Sequence, residues 1–156
     1  MAPSSASSSA LVAELLEHAG AWPRVSLAPH PPRAVALHLD EAVIGVLHHD
    51  GLLEIPVPTP IRTVLVDEGF AAPQTTRPGA EWVTTHLRAP DDLAAAALLL
   101  RLSYLYRRLL RSRDPLVLQR IRTEVAHHPL PRSLATIYEA MLDKRGTDVS
   151  LSGTDE

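Results

Sequence analysis

The chain has 156 residues, a net charge of −3 and no cysteine, so its length is typical of one domain, and disulfides, zinc–thiolate centres and cysteine nucleophiles are excluded. Aromatic residues make up 4% of the chain and there is no basic excess, so we expect no nucleic-acid partner. Every apolar run is shorter than the ~20 residues of a membrane span, so we expect a cytoplasmic protein with no membrane partner.

The first half of the chain predicts one helix followed by a meander of antiparallel strands. Residues 1–9 are small and polar and predict a flexible tail, whereas the apolar residues between Leu11 and Ala19 recur with helical spacing. Four short runs that are apolar or β-branched then predict strands, over residues 24–28, 34–39, 43–49 and 52–55. Asp50-Gly51 separates the last two runs and is a strong hairpin signal.

The second half of the chain predicts a short helix, one more strand and three further helices. Residues 59–69 carry capping signals at both ends of a helix, and the alternation over residues 81–87 predicts a strand. A proline and two aspartates open the longest helix, which covers about residues 90–110. Two amphipathic helices follow, over about residues 115–127 and 130–141.

Strands that are grouped together, and do not alternate with helices, indicate an α+β fold. We expect an antiparallel sheet with helices packed on it and a C-terminal helical extension. The predicted boundaries are a flexible tail over 1–9, the α+β domain over 10–112, the extension over 113–145 and a second flexible tail over 146–156. A protein partner, if the chain has one, is expected at the C-terminal helices.

Two residues of the predicted hairpin are candidates for proton transfer. His48 and His49 are adjacent on a strand and therefore face opposite sides of the sheet, so they cannot bind one metal together, and we expect no metal site. Glu54 follows on the next strand, and a carboxylate that bonds an imidazole can set the tautomer of a general base. His48 and Glu54 are thus the candidate catalytic residues. The alternative is that Glu54 is exposed on the polar side of a half-buried sheet.

Three segments of the chain occur in an order that is typical of one family. They read IGVLHHDGLLEIPVP over residues 44–58, EGF over 68–70 and EWVTTHLRAPDDLAAAALLLRLSYLYR over 81–107. Together they resemble the luciferase-domain family, which includes the fungal luciferases and many bacterial proteins of unknown function, and the similarity covers roughly residues 24–110. The reaction that the resemblance implies is that of the fungal members, a monooxygenase-type reaction of a hispidin-like luciferin with oxygen, which releases light.

The resemblance carries over only at some positions. The positions that match are His48, Glu54, Trp82, Ser103 and Tyr104. The family strand before the hairpin usually has two histidines two positions apart, and Val46 stands at the first of these positions. Gln74 stands where family members commonly have another histidine. The resemblance therefore implies a site that lacks two of its polar side chains.

These observations favour a non-luminescent module that binds a small apolar or aromatic molecule, or that acts in protein interaction, without a cofactor. The candidate ligand-binding residues are Trp82, His86 and Tyr104, of which the first two share one strand face. The alternative is a cofactor-independent, oxygenase-type enzyme for a small aromatic or apolar substrate, with His48 and Glu54 as its catalytic pair. A concave, partly apolar pocket that contains His48 would distinguish the two.

Overall fold

A computed structural model describes residues 5–73, 81–128 and 130–152. The helices are α1 Ser5–Gly20, α2 Thr59–Asp67, α3 Asp92–Arg111, α4 Pro115–His127 and α5 Arg132–Ser152. The strands are β1 Val25–His30, β2 Ala34–Leu39, β3 Ala42–His48, β4 Leu52–Pro56, β5 Ala72–Pro73 and β6 Trp82–His86. These elements form two compact units, which divide between Tyr104 and Leu105, inside α3.

The first unit contains one antiparallel sheet of six strands in the order β1-β2-β3-β4-β6-β5. The first four strands pair with their neighbours in the chain because short turns connect them, and β6 returns to pair along β4. The register shifts once between β2 and β3, at Leu37/His38. The structure confirms the predicted α+β class and the predicted antiparallel meander.

One face of the sheet is apolar and carries α3. Alternate residues of the central strands, among them Leu47, Leu53, Ile55 and Val83, are fully buried. Full burial of one such side chain stabilises the fold by about 1.5–3 kcal/mol. The helix approaches the sheet closely at Gly45, where an added Cβ would lie 2.7 Å from Leu100 Cδ1. Since Gly45 precedes Val46 on β3, α3 lies on the face opposite Val46.

The second unit is helical and has its own core. It contains the end of α3 with α4 and α5, and α4 and α5 pack against each other. Asp114 caps α4 by accepting a hydrogen bond from the Leu116 amide, and Arg122 pairs with Asp143 at 2.9 Å between the two helices. The buried side chains are Leu105, Leu109, Leu118, Ile121, Val125, Leu134, Tyr138 and Leu142.

The helices reach further toward the chain ends than the sequence predicts. α1 begins at Ser5 and α5 ends at Ser152, so residues 5–9 and 146–152 are helical where flexible tails were predicted; the rest of both tails lies outside the described residues. The physical reason is that serine has only a modest helix penalty and that no proline follows residue 131. The single Gly146 does not end α5, because one glycine costs a helix only about 1 kcal/mol.

Within the described part of the chain, none of the helices is long and apolar enough to cross a membrane.

The hairpin between β3 and β4 requires glycine at one position. Gly51 has a φ of +97°, and an added Cβ would lie 2.5 Å from the Leu87 carbonyl oxygen. A hydrogen bond also holds the Gly51 backbone against Leu87, because the Leu87 amide donates to the Gly51 carbonyl at 2.8 Å. Gly69 also has a positive φ, of +78°, but an added Cβ there would meet nothing within 4 Å.

These two glycines give a matched test of the hairpin. We expect Gly69→Ala to lower the free energy of unfolding by about 1–2 kcal/mol, the strain of a positive φ alone. Gly51→Ala should lower it by about 1–3 kcal/mol more, because the methyl group also overlaps backbone. Urea denaturation followed by circular dichroism measures both. Equal decreases in the free energy of unfolding of the two variants would show that a Cβ at position 51 does not overlap the Leu87 backbone.

The connection from β6 to α3 is held by one carboxylate. Asp92 accepts hydrogen bonds from the amides of Arg88 and Ala89, each at 2.9 Å. These two N–H groups hold the pKa of Asp92 below its ordinary value of 3.8. The ionised form is therefore favoured in the folded state, and it contributes stability above the unfolded pKa that is lost as the pH falls through the folded one.

We therefore expect the stabilities of the native chain and Asp92→Asn to converge in acid. The native chain should be the more stable at neutral pH, and its advantage should shrink as the pH drops below about 4. Urea denaturation midpoints across a pH series measure the difference. A difference that stays constant down to the acid end of the series would contradict the role given to the ionised carboxylate.

Candidate functional site

The register of β3 and β4 brings His48 and Glu54 together. Val46 and Glu54 are partners across the two strands, so the side chain two residues after Val46 lies on the same face. His48 Nε2 and Glu54 Oε1 are 2.5 Å apart. The prediction that strand alternation places His48 beside Glu54 is thus confirmed, and His49 points to the other face.

The two partners differ in their exposure to solvent. Glu54 is 4% exposed, so the alternative of an exposed residue on a polar face is wrong for it, whereas the His48 side chain is 28% exposed. A buried carboxylate needs hydrogen-bond partners, and an ionised one can only accept, so the His48 Nε2–H donates to it. In the neutral imidazole the other ring nitrogen, Nδ1, then carries a lone pair. This nitrogen forms no hydrogen bond to a described residue. This arrangement orients an imidazole as a proton acceptor.

Small apolar side chains and one indole lie beside this pair. Ala34, Ala36 and Val46 form a buried cluster, and Trp82 packs against it while remaining half-buried. Trp82 is opposite Pro56, two residues beyond Glu54, and therefore shares the face of the His48–Glu54 pair. The predicted ligand-binding residue Trp82 thus lies in the same region as the candidate catalytic pair.

His86 shares this face and lies on the strand beyond β4 from His48. It is opposite Leu52, and Thr84, two residues earlier, is opposite Glu54. β4 separates β6 from β3, so about 10 Å of sheet lies between the backbones of His86 and His48. Thr84 is not among the predicted site residues, because the pairing of β4 with β6, which puts it beside Glu54, has no local sequence signal.

Tyr104 lies elsewhere. Its hydroxyl donates a hydrogen bond to the Pro23 carbonyl at 3.1 Å, its ring centroid is 5.2 Å from that of Trp22, and the Arg101 guanidinium lies 4.6 Å from it. It is fully buried on α3, the helix that covers the opposite sheet face. The structure therefore does not bring Tyr104 to His48, because its ring anchors the segment between α1 and β1.

The described residues contain no group of three or more side chains that could bind one metal ion together. The His48–Glu54 pair supplies two ligand atoms of the kind that zinc accepts, but catalytic zinc sites have three protein ligands. What the pair offers chemically is proton transfer and hydrogen bonding to an acidic group.

This face lies in a segment that matches one family model. Residues 41–103 match the family model described as Luciferase domain. Comparisons with curated proteins and with solved structures give no match. The matched segment runs from the start of β3 into α3 and contains His48, Glu54 and Trp82.

The resemblance implies departures at Val46 and Gln74, of which Val46 is the one in the described part of the chain. Val46 is 2% exposed and lies directly across from Glu54, so a histidine there would share the face of His48. Gln74 lies outside the described residues. With valine at position 46, Glu54 has one imidazole from β3 beside it.

A separate groove lies along β1 and the β1–β2 turn. It has a volume of about 440 Å³ and is lined by His49, not by His48. Its apolar lining comes from Leu16 of α1 and from strand residues such as Pro29 and Val35. The prolines of this turn predict only a break between strands, and no periodicity in the sequence signals a groove there.

The His48–Glu54 bond can be observed directly. We expect the His48 Nε2–H proton to give a resolved, downfield NMR signal, because its partner carboxylate is buried and slows exchange with water. The signal should be lost in His48→Ala and in Glu54→Leu, where the acceptor is gone, and should persist in His49→Ala. A signal that survives in Glu54→Leu would mean that another group holds the ring.

Proposed function

We propose that the luciferase-domain segment is a non-luminescent module that binds a small aromatic or apolar molecule carrying an acidic hydroxyl group. The aromatic part of the ligand would lie against Trp82 and the hydroxyl would bond His48 Nδ1. The observation that carries the proposal is the His48–Glu54 pair, in which a buried carboxylate orients a partly exposed imidazole beside an apolar cluster.

Three properties of this face support the proposal. Ligand sites combine an apolar surface with a few placed polar groups, which is the composition of the cluster around Val46, Trp82 and His48. Glu54 limits the rotation of the imidazole, so less conformational entropy is lost on binding. The family match gives a class of ligand to try first, the hispidin-like luciferins of the fungal members.

A second candidate function is a cofactor-independent, oxygenase-type enzyme for the same class of molecule. The observation in its favour is again the bond between His48 and Glu54, since a general base needs a fixed tautomer and orientation. His48 would remove the hydroxyl proton of the substrate, and a positioned base of this kind contributes roughly 10²–10⁴-fold to the rate of a proton transfer. The two candidates differ in whether oxygen is consumed after the ligand binds.

Tryptophan fluorescence tests binding, because the chain has only two tryptophans. We expect a hispidin-like luciferin to quench Trp82, so the signal should be lost in Trp82→Phe and kept in Trp22→Phe. His48→Ala should weaken binding about fivefold, because one hydrogen bond of about 1 kcal/mol is lost. His127→Ala, on α4, is the control and should bind like the native chain. Equal affinities for His48→Ala and the control would overturn the proposal.

Light emission and oxygen consumption separate the two candidates. We expect the native chain with luciferin and oxygen to give neither above a protein-free blank. The double variant Val46→His, Gln74→His restores both histidines of the family pattern, and we expect any light to appear only there. Oxygen consumption by the native chain that is lost in His48→Ala would instead establish the enzyme.

A further inference from the structure

The groove along the β1–β2 turn has a lining that differs from that of the His48 face. Leu16, Leu27, Pro29 and Val35 form its apolar part, and Leu27 is 44% exposed. Leu27 and Pro29 alternate along β1, and Pro29 is the partner of Val35, so these three strand residues share one face of the sheet. A large exposed leucine inside a concave apolar surface is a feature of binding sites.

The polar side chains of the groove are all capable of positive charge. They are His30, Arg33 and His49, and among the described residues that line the groove none is acidic. Arg33 and His49 are neighbours, because the His49 amide donates a hydrogen bond to the Arg33 carbonyl at 2.9 Å. Arg33 is exposed and forms no ion pair with a described residue.

The charge of this lining is notable because the whole chain carries a net charge of −3. Two other arginines of the described chain, Arg24 and Arg122, have acidic partners, Asp40 and Asp143. A guanidinium that ends an apolar groove without such a partner matches a planar carboxylate, which it can bind with two parallel hydrogen bonds.

We propose that this groove binds an anionic amphiphile, namely a carboxylic acid with an unbranched apolar chain. The chain would lie against Leu16, Leu27 and Val35, and the carboxylate would bond Arg33 beside His49. The volume of about 440 Å³ falls within the range of small-molecule sites. The groove has His49 in its lining and the site proposed above has His48, whereas Ala34 belongs both to the groove lining and to the cluster beside His48.

Decanoate is the probe, and isothermal titration calorimetry with the full chain is the measurement. We expect saturable binding of decanoate, about tenfold weaker binding to Arg33→Gln, and weak binding of decanol, which has the same chain without the charge. Arg88→Gln removes the same charge from an exposed position outside the groove lining and should bind like the native chain. His48→Ala should also leave decanoate binding unchanged, which separates this site from the luciferin site.

Each contrary result overturns a defined part of the proposal. Absence of saturable binding, or equal affinities for decanoate and decanol, would show that the groove does not recognise an anion. Equal losses in Arg33→Gln and Arg88→Gln would show that only the overall charge acts. The location is checked by amide chemical shifts, which decanoate should change at residues 27–35 and 49; shifts confined to another part of the chain would place the ligand elsewhere and overturn the assignment to the groove.

Discussion

The candidate site depends on one contact, the bond between the buried Glu54 carboxylate and the His48 imidazole. Burying a carboxylate without partners is costly, so its position is tolerated only where the fold supplies donors. His48 is such a donor because the β3–β4 register places it diagonally across from Glu54, at 2.5 Å. The same bond occupies one nitrogen of a partly exposed ring, and the second nitrogen is the one to which we propose that the ligand bonds.

The residues that match the luciferase-domain family divide into two groups with different tasks. His48, Glu54 and Trp82 lie on one face of the sheet, whereas the Ser103-Tyr104 pair lies on the helix that covers the other face. Ser103 donates to the Pro56 carbonyl at 3.2 Å, and this bond fixes the end of β4, the strand that carries Glu54. Ser103 and Tyr104 therefore hold segments that flank the sheet, and the resemblance at these two positions concerns the scaffold and not a reaction.

The sequence predicts what depends on local patterns and misses what depends on distant pairing. Asp50-Gly51 and the alternation after it predict the hairpin, and from the hairpin follow the faces of His48 and Glu54. Helical periodicity predicts α3 but does not indicate which face of the sheet the helix covers. The expectation that Tyr104 binds the same ligand as Trp82 therefore depended on information that the sequence does not contain. The close approach at Gly45, which decides this, involves Leu100 and has no local signal.

The two histidines at the end of β3 show how far one turn controls the surface chemistry of this domain. His48 faces Glu54, and His49 lines the groove that contains Arg33. A shift of one residue in the pairing of β3 would exchange the two imidazoles and bury Leu47 on the wrong face. The positive φ of Gly51, together with its hydrogen bond from Leu87, sets the length of the turn and so the register. The backbone conformation of a single glycine thereby determines which imidazole is oriented by a buried carboxylate and which lines the groove.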